Sequence, residues 1–177
     1  MTAKPKRRNR VYKDMMPFAS DFLFSTYGIT TCPSIEISNK LNDCLAKLEP
    51  CEDSDGTPTV RIVISSRVVD YYTMKEQTDI IKHELIHFAL AFQNRGFKDG
   101  DLDFEQELNK LKVPHQNEVQ LRGKVYIYSC DYQHEEVELH RTVKRTNVDL
   151  RICPICKHPM KYKGTYLITK ESRKQID

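Results

Sequence analysis

The stretch His83-Glu84-Leu85-Ile86-His87 decides the fold of this chain, and its surroundings indicate which secondary structure carries it. Apolar residues recur at helical spacing through residues 75–93, and this run contains neither Gly nor Pro. We therefore predict a helix here, opened by Thr73 or Thr78. Residues four apart lie on the same face of a helix, so the two histidines of the stretch point the same way.

Two imidazoles on one helix face, with a carboxylate beside them, have the composition of a catalytic metal site. His83 and His87 can both reach one zinc ion, and Glu84 can reach a water molecule bound to that ion. The competing interpretation is a buried helix with two incidental histidines, which leaves polar side chains in an apolar helix without partners. The pattern therefore predicts a catalytic Zn²⁺ with Glu84 as the general base.

A catalytic zinc ion usually takes a third protein ligand in addition to water. The chain has no histidine between His87 and His115, so the candidates are carboxylates: Asp99, Asp101, Asp103 and Glu105. The glycines at 96 and 100 favour turns that let the chain return toward its own metal-binding face. A solvated acidic loop would account for the same residues, so the residues alone leave the third ligand open.

Composition indicates one ordinary domain with a small appendage, since the 177 residues are 39% hydrophobic and 30% charged. No window approaches the roughly 18 apolar residues of a membrane span, and the N-terminus has no apolar signal segment. We therefore expect a cytoplasmic protein without a membrane partner. In a reducing compartment its six cysteines favour metal binding or free thiols over disulfides. Three of them have no partner at a metal-binding spacing: Cys32, Cys44 and Cys51.

Charge is distributed unevenly, although the formal net charge is only +3. Residues 1–13 hold six basic residues and no acidic residue, and residues 122–177 hold 12 basic and 7 acidic residues, hence +5. The middle of the chain carries −8. Basic ends around an acidic centre predict a polyanionic partner, above all DNA, although a solvated terminus would explain the basic arm equally well.

The pattern of elements predicts an α+β fold. A first helix at residues 15–27 has apolar residues at helical spacing and ends at Gly28. The clearest strand is residues 59–65, whose side chains alternate between two faces. The other elements predicted in this part are strands at 34–38 and 44–48, a polar loop at 52–58 and a second helix at 102–111.

The C-terminal part has the plan of a zinc ribbon, in which hairpins present metal ligands at tight turns. Strands are predicted at 125–128, 136–139 and 148–152, and the last runs into Cys153-Pro-Ile-Cys156, which has the spacing of a zinc knuckle. A structural Zn²⁺ needs four ligands. The predicted set is Cys130, His134, Cys153 and Cys156, with His140 and His158 as rivals for His134. Buried free thiols are the competing interpretation.

Beyond the pentapeptide, residues 15–163 resemble the SprT-like family, which includes the Spartan proteases. The run HELIHFALAFQNRGFKDGDLDFEQEL is similar to a bacterial pattern in which a Gly-aromatic-x-His segment precedes Asp-Phe. That His is the third zinc ligand of the family, and the matching position here is Asp99. The resemblance therefore implies that an aspartate oxygen replaces an imidazole. In the ribbon, His134 replaces one of the four cysteines that the family commonly has.

The resemblance implies a zincin-like metalloprotease domain that acts on proteins bound or crosslinked to DNA. Tyr126, Tyr128 and the basic turn at 141–145 would suit contact with DNA, or would instead pack within the ribbon and be solvated. We expect a cytoplasmic, DNA-associated protein with one catalytic and one structural Zn²⁺. The resulting domains are a disordered basic arm at 1–14, the protease domain at 15–121, the zinc ribbon at 122–165 and a tail at 166–177.

Two other functions remain open from the sequence. The chain would be a DNA-binding zinc-ribbon protein if Asp99 marks a degenerate protease site. Alternatively it would be an HExxH peptidase that cleaves one repressor, although the ribbon and the basic arm favour a function linked to DNA.

Overall fold

The computed structural model describes residues 10–42, 44–142 and 151–177, and the chain divides into two compact units, Met1–Val119 and Gln120–Asp177. Both helices and sheets are present, so the predicted α+β class is confirmed. The division falls two residues before the boundary expected at 121. Among the described residues, none of the helices combines the length and the apolar character that crossing a membrane requires.

A four-stranded sheet forms one layer of the first unit. Its strands follow the spatial order β1-β2-β4-β3, in which β2 and β4 are parallel and the other neighbours are antiparallel. Strand β3 therefore lies at an edge, and Pro50, which has no N–H to donate, is tolerated there. The strands are β1 (Arg10–Val11), β2 (Ser34–Ser38), β3 (Ala46–Glu52) and β4 (Pro58–Ser65). The predicted disordered arm at 1–14 therefore has ordered residues at its end, since β1 pairs with β2 and a 3-10 helix follows at Lys13–Met15.

The predicted strand at 44–48 is displaced toward the C-terminus, because β3 pairs with β4 from Ala46 opposite Ile64 to Glu52 opposite Pro58. This hairpin takes up residues that the sequence assigned to a polar loop. The strands predicted at 34–38 and 59–65 are confirmed as β2 and β4.

Four α-helices are found in the described part of the first unit: α1 (Met16–Tyr27), α2 (Ser66–Tyr71), α3 (Met74–Phe92) and α4 (Leu102–Leu111). Helix α3 begins with a capping box, in which Thr73 and Glu76 satisfy each other's backbone N–H groups, so the predicted start at Thr73 is confirmed. Helix α1 ends at Gly28 in the left-handed region, with φ 69°. Only α2 was not predicted.

Helix α3 contacts both α1 and α4. A buried cluster joins α3 to α4 through Ile86, Leu90, Phe104, Leu108 and Val113, and Phe22 of α1 packs against it. Helix α3 also contacts the edge strand β3.

The second unit is an antiparallel sheet in the order β6-β5-β7-β8. Its strands are β5 (Gly123–Ser129), β6 (Glu138–Arg141), β7 (Lys161–Ile168) and β8 (Arg173–Gln175). Two predicted strands correspond to β5 and β6. Residues 148–150 of the third lie outside the described residues, and Ile152 makes only an isolated bridge to Pro159. Residues 166–177, assigned to a tail, contain the end of β7 and all of β8.

Candidate metal centres

Helix α3 brings three polar side chains together in the interior of the first unit. His83 and Glu84 are each only 3% exposed, and His87 lies one helical turn further on. The Nε2 atoms of His83 and His87 are 3.2 Å apart. One ligand atom from each of the three residues lies within 4.8 Å of the others. The side chains of His83, Glu84 and His87 therefore point toward one common position.

The loop after α3 returns Asp99 to this set. Its Oδ1 is 3.5 Å from His83 Nε2 and 3.7 Å from His87 Nε2. Tetrahedral zinc with bonds of about 2.0–2.1 Å separates its ligand atoms by about 3.3 Å, so the three atoms are spaced as ligands of one ion. The Asp99 side chain remains 72% exposed, which leaves the opposite side of the site open to solvent.

The other candidate carboxylates have different partners. Asp101 accepts a hydrogen bond from the Lys98 N–H, and Asp103 accepts from the Gly96 N–H and pairs with Arg95. Glu105 contacts His115 and the Gly100 N–H. These contacts stabilise the return loop, whereas Asp99 is the acid that this loop directs at the histidines.

A contact on the far side of the His87 imidazole sets its orientation, and burial sets the charge of both rings. His87 Nδ1 lies 2.5 Å from the Phe97 carbonyl, and its ring stacks on Phe104 with centroids 4.0 Å apart. Donation from Nδ1 to this carbonyl leaves Nε2 with a free lone pair for a metal. Burial, followed by the neighbouring His87, lowers the pKa of His83 to about 4. Burial also lowers the pKa of His87, so both rings favour the neutral form that binds metals.

Glu84 is held by groups from outside its helix. Gln116 Nε2 donates to Glu84 Oε1, and the Leu48 N–H of strand β3 also bonds to this carboxyl group. Burial raises the pKa of Glu84 to about 8, against the opposing effect of these two donors. A carboxyl group that titrates near neutrality is suited to accept and return a proton.

Two residues of this site were not assigned from the sequence. His115 lies beside the histidine pair, with its ring centroid 6.1 Å from that of His83, and its Nε2 is 2.9 Å from Glu105 Oε2. Gln116 begins a short 3-10 helix, Gln116–Glu118. Both fall in a segment with little periodicity, so no sequence signal distinguished them from a linker.

A second cluster lies in the second unit and contains Cys130, His134, Cys153 and Cys156, whose ligand atoms are within 4.8 Å of one another. The Sγ atoms of Cys130 and Cys156 are 3.6 Å apart, much longer than a disulfide bond but close to the separation of about 3.8 Å expected on tetrahedral zinc. The three cysteines of the cluster are free.

Local backbone geometry favours the ionised form of Cys130, whereas the pKa of Cys156 is raised, because the lowering effect of the His158 N–H is outweighed by the contacts of Cys156 with Cys153 and Cys130. The N–H groups of Tyr132 and Gln133 point at Cys130 and lower the pKa of its thiol to about 6. The rivals for the fourth position have other contacts, since His140 Nε2 lies 3.2 Å from Glu138 Oε2 and His158 Nδ1 lies 3.2 Å from the Cys156 carbonyl. The structure therefore groups the cysteines with His134.

The residues predicted to contact DNA are only partly available for it. Tyr128 is 7% exposed and packs with Cys130, Cys153 and Met160, and Tyr126 packs against the same cluster, which favours the packing alternative for both. The structure does not describe residues 143–145 of the basic turn at 141–145 or residues 1–9 of the basic arm at 1–14. Tyr132 in the same unit is more exposed than Tyr128, at 58%, and its ring stacks on His158.

Comparison with known proteins gives one consistent result. A protein described as Protein SprT-like from Bacillus cereus is 34% identical over 106 residues, covering 56% of this chain and 66% of that protein. A Protein SprT-like from Geobacillus is 30% identical over 104 residues, covering 55% of this chain and 65% of that protein. The chain thus spans just under two thirds of the length of these relatives. No family model matches it, and no solved structure matches it significantly.

Proposed function

The chain belongs to the SprT-like family, and from that premise we propose that it is a zinc-dependent peptidase whose ion is held by His83, His87 and Asp99. One observation carries the proposal, namely the convergence of two imidazole Nε2 atoms and one aspartate oxygen beside the buried carboxyl group of Glu84. On this proposal the first unit is a zincin-like protease domain.

Each side chain has a defined part in peptide hydrolysis. When bound, zinc supplies a Lewis acid and lowers the pKa of the attacking water. His83 and His87 provide neutral nitrogen ligands, and Asp99 adds one negative charge to the set. Glu84 accepts the proton from the water at its carboxylate and returns it to the departing amine nitrogen. The exposed side of Asp99 leaves room for a protein substrate to enter.

We also propose that the second unit is a zinc ribbon, with structural Zn²⁺ on Cys130, His134, Cys153 and Cys156. The mutual distances of these ligand atoms and the lowered pKa of Cys130 support this assignment. A unit this small has little apolar core of its own, so metal binding contributes much of its folding free energy.

The proposed substrates are proteins bound or crosslinked to DNA, and the protein is proposed to be cytoplasmic and DNA-associated. The excess of basic residues in residues 1–13 and 122–177 supports this assignment. Exposed Tyr132, stacked on His158, offers an aromatic surface to unpaired bases. The test is cleavage of a DNA-binding protein with and without DNA. Stimulation by DNA supports the assignment, and cleavage indifferent to DNA favours a peptidase dedicated to one repressor.

Zinc content tests the catalytic site directly. We expect near two zinc ions per chain in the wild type and near one after His83 and His87 are both replaced by Ala. The Glu84→Gln variant is expected to retain both ions and to lose hydrolysis, so it separates the base from the metal. Activity retained by Glu84→Gln would contradict the proposed role of this residue.

A second candidate function is DNA binding through the ribbon, with a degenerate protease site. The observation that favours it is Asp99 itself, an exposed oxygen ligand in the position where the family pattern has an imidazole. A zinc content near one in the wild type, unchanged by replacing His83 and His87, would exclude the zinc peptidase, and retained DNA binding by the same protein would then support this alternative.

A further inference from the structure

The carboxamide of Gln116 joins the edge strand of the sheet to the buried carboxyl group of Glu84. Its Oε1 accepts a hydrogen bond from the Ala46 N–H at 3.2 Å, and its Nε2 donates to the Ala46 carbonyl at 3.2 Å. The same Nε2 donates to Glu84 Oε1. Its two N–H groups thus serve two acceptors, while its oxygen serves one donor.

The two contacts with Ala46 fix the position of the Gln116 side chain. Ala46 belongs to the edge strand β3, which pairs with β4 on one side of the sheet. The N–H and C=O of Ala46 on the open side bond to Gln116, as they would to an adjacent strand. A side chain fixed at both ends of its amide loses little further entropy when it bonds to Glu84. The amide is therefore a rigid donor rather than a mobile one.

The Leu48 N–H, two residues along the same edge, also bonds to Glu84. The carboxyl group is thus bracketed by donors that both depend on β3. A carboxylate has about four acceptor positions, so the two donors leave sites free for a water molecule. The two donors therefore orient the Glu84 carboxyl group and still leave an oxygen lone pair that can accept a proton from water.

We propose that Gln116 is a positioning residue, which holds the Glu84 carboxyl group in the orientation that hydrolysis requires and ties that orientation to the edge strand β3. This inference rests on the proposed peptidase function. It assigns a role in that reaction to a residue in the segment that joins α4 to the end of the first unit, where the sequence pattern indicated only a linker.

The kinetic test compares Gln116→Met with the wild type. Met keeps the length and volume of the side chain but makes none of the three hydrogen bonds. Misplacement of a general base by about 1 Å can cost about 100-fold in rate, so we expect kcat to fall by about 10- to 100-fold. Zinc content should stay near two ions per chain, and KM should stay within about twofold of the wild-type value. Asn117→Ala is the matched control, because Asn117 is exposed in the same short helix and should leave kcat unchanged.

A second measurement does not depend on activity. The side-chain amide resonances of Gln116 and Asn117 are followed by NMR in the wild type and in Glu84→Ala. We expect the Gln116 amide protons to be shifted and protected from exchange in the wild type, and to change in Glu84→Ala, whereas those of Asn117 stay the same. An unchanged Gln116 resonance would show that the contact with Glu84 is absent and would overturn the inference.

The outcomes separate this inference from the proposed function. If the wild type cleaves protein and Gln116→Met has the same kcat, the positioning role is wrong and the peptidase remains. If Gln116→Met lowers KM and raises the rate, Gln116 blocks the edge of β3 instead, and the positioning role is again wrong. If the metallated wild type cleaves nothing, the peptidase proposal fails and the inference fails with it.

Discussion

Replacement of Asp99 by Asn tests the proposed third ligand of the metal site in the first unit, because it changes a single side-chain atom. The change removes one negative charge and replaces an anionic oxygen, 3.5 and 3.7 Å from the two histidine Nε2 atoms, by an amide group. A matched control exists in the same loop. Asp101→Asn removes the same charge, but its carboxylate faces the Lys98 N–H.

The expected magnitude follows from the ligand count. Loss of a group that only supports a metal ligand typically costs 10- to 100-fold in metal affinity, so loss of a charged ligand should cost at least about 100-fold. This factor corresponds to about 2.7 kcal/mol of binding free energy. Because the Asp99 side chain is 72% exposed, the stability of the metal-free protein should change by no more than about 0.5 kcal/mol.

The assay is competition for zinc with a chelator of known affinity, on protein whose ribbon site is already filled. We expect Asp99→Asn to weaken the first-unit site by about 100-fold and Asp101→Asn to weaken it by less than about threefold. Equal weakening by the two variants would refute the reasoning, since the loop charge rather than a ligand atom would then account for the affinity.

Three further predictions concern the remaining ligands and the titration of the site. Asp99→His, which restores the imidazole of the family pattern, should keep the zinc content and tighten binding in the same competition assay. His134→Ala should lower zinc content by one ion per chain in elemental analysis, whereas His140→Ala, whose imidazole faces Glu138, should not. In metal-free protein the buried Glu84, with its pKa raised to about 8, stabilises the fold at low pH and progressively less as pH rises toward 8. Between about pH 4.5 and 8 the melting temperature of the wild type should therefore fall relative to Glu84→Gln, in which His83 and His87 titrate in the same way and their contributions cancel.

Three of the four α-helices in the described residues could be predicted from sequence, because their signals are local. Helix α4 has the predicted bounds, and α3 begins at the predicted Thr73, where a capping box supplies the missing hydrogen bonds. The strands were less predictable. β7 contains Gly164 among charged and aromatic residues and shows little alternation, and its pairing with β5 is stabilised by partners about 40 residues away in the chain.

The proposed catalytic site likewise has a part that local sequence predicts and a part that it does not. The spacing of His83 and His87 on one helix determined that their Nε2 atoms converge, because helical geometry relates residues four apart whatever the rest of the fold does. The family resemblance, rather than any periodicity, selected Asp99 among four acids. The structure adds that the other three acids have hydrogen-bond partners in the loop or near it.

Local periodicity and donor chemistry were enough to predict the α+β class, the helix that carries the pentapeptide and the residues able to bind metal. The burial of Glu84 and the identity of the donors around it follow from the tertiary packing alone. The Leu48 N–H and the Gln116 carboxamide come from segments more than 30 residues away on either side. Such contacts are set by the packing of β3 and the segment after α4 against α3, and no local pattern encodes that packing.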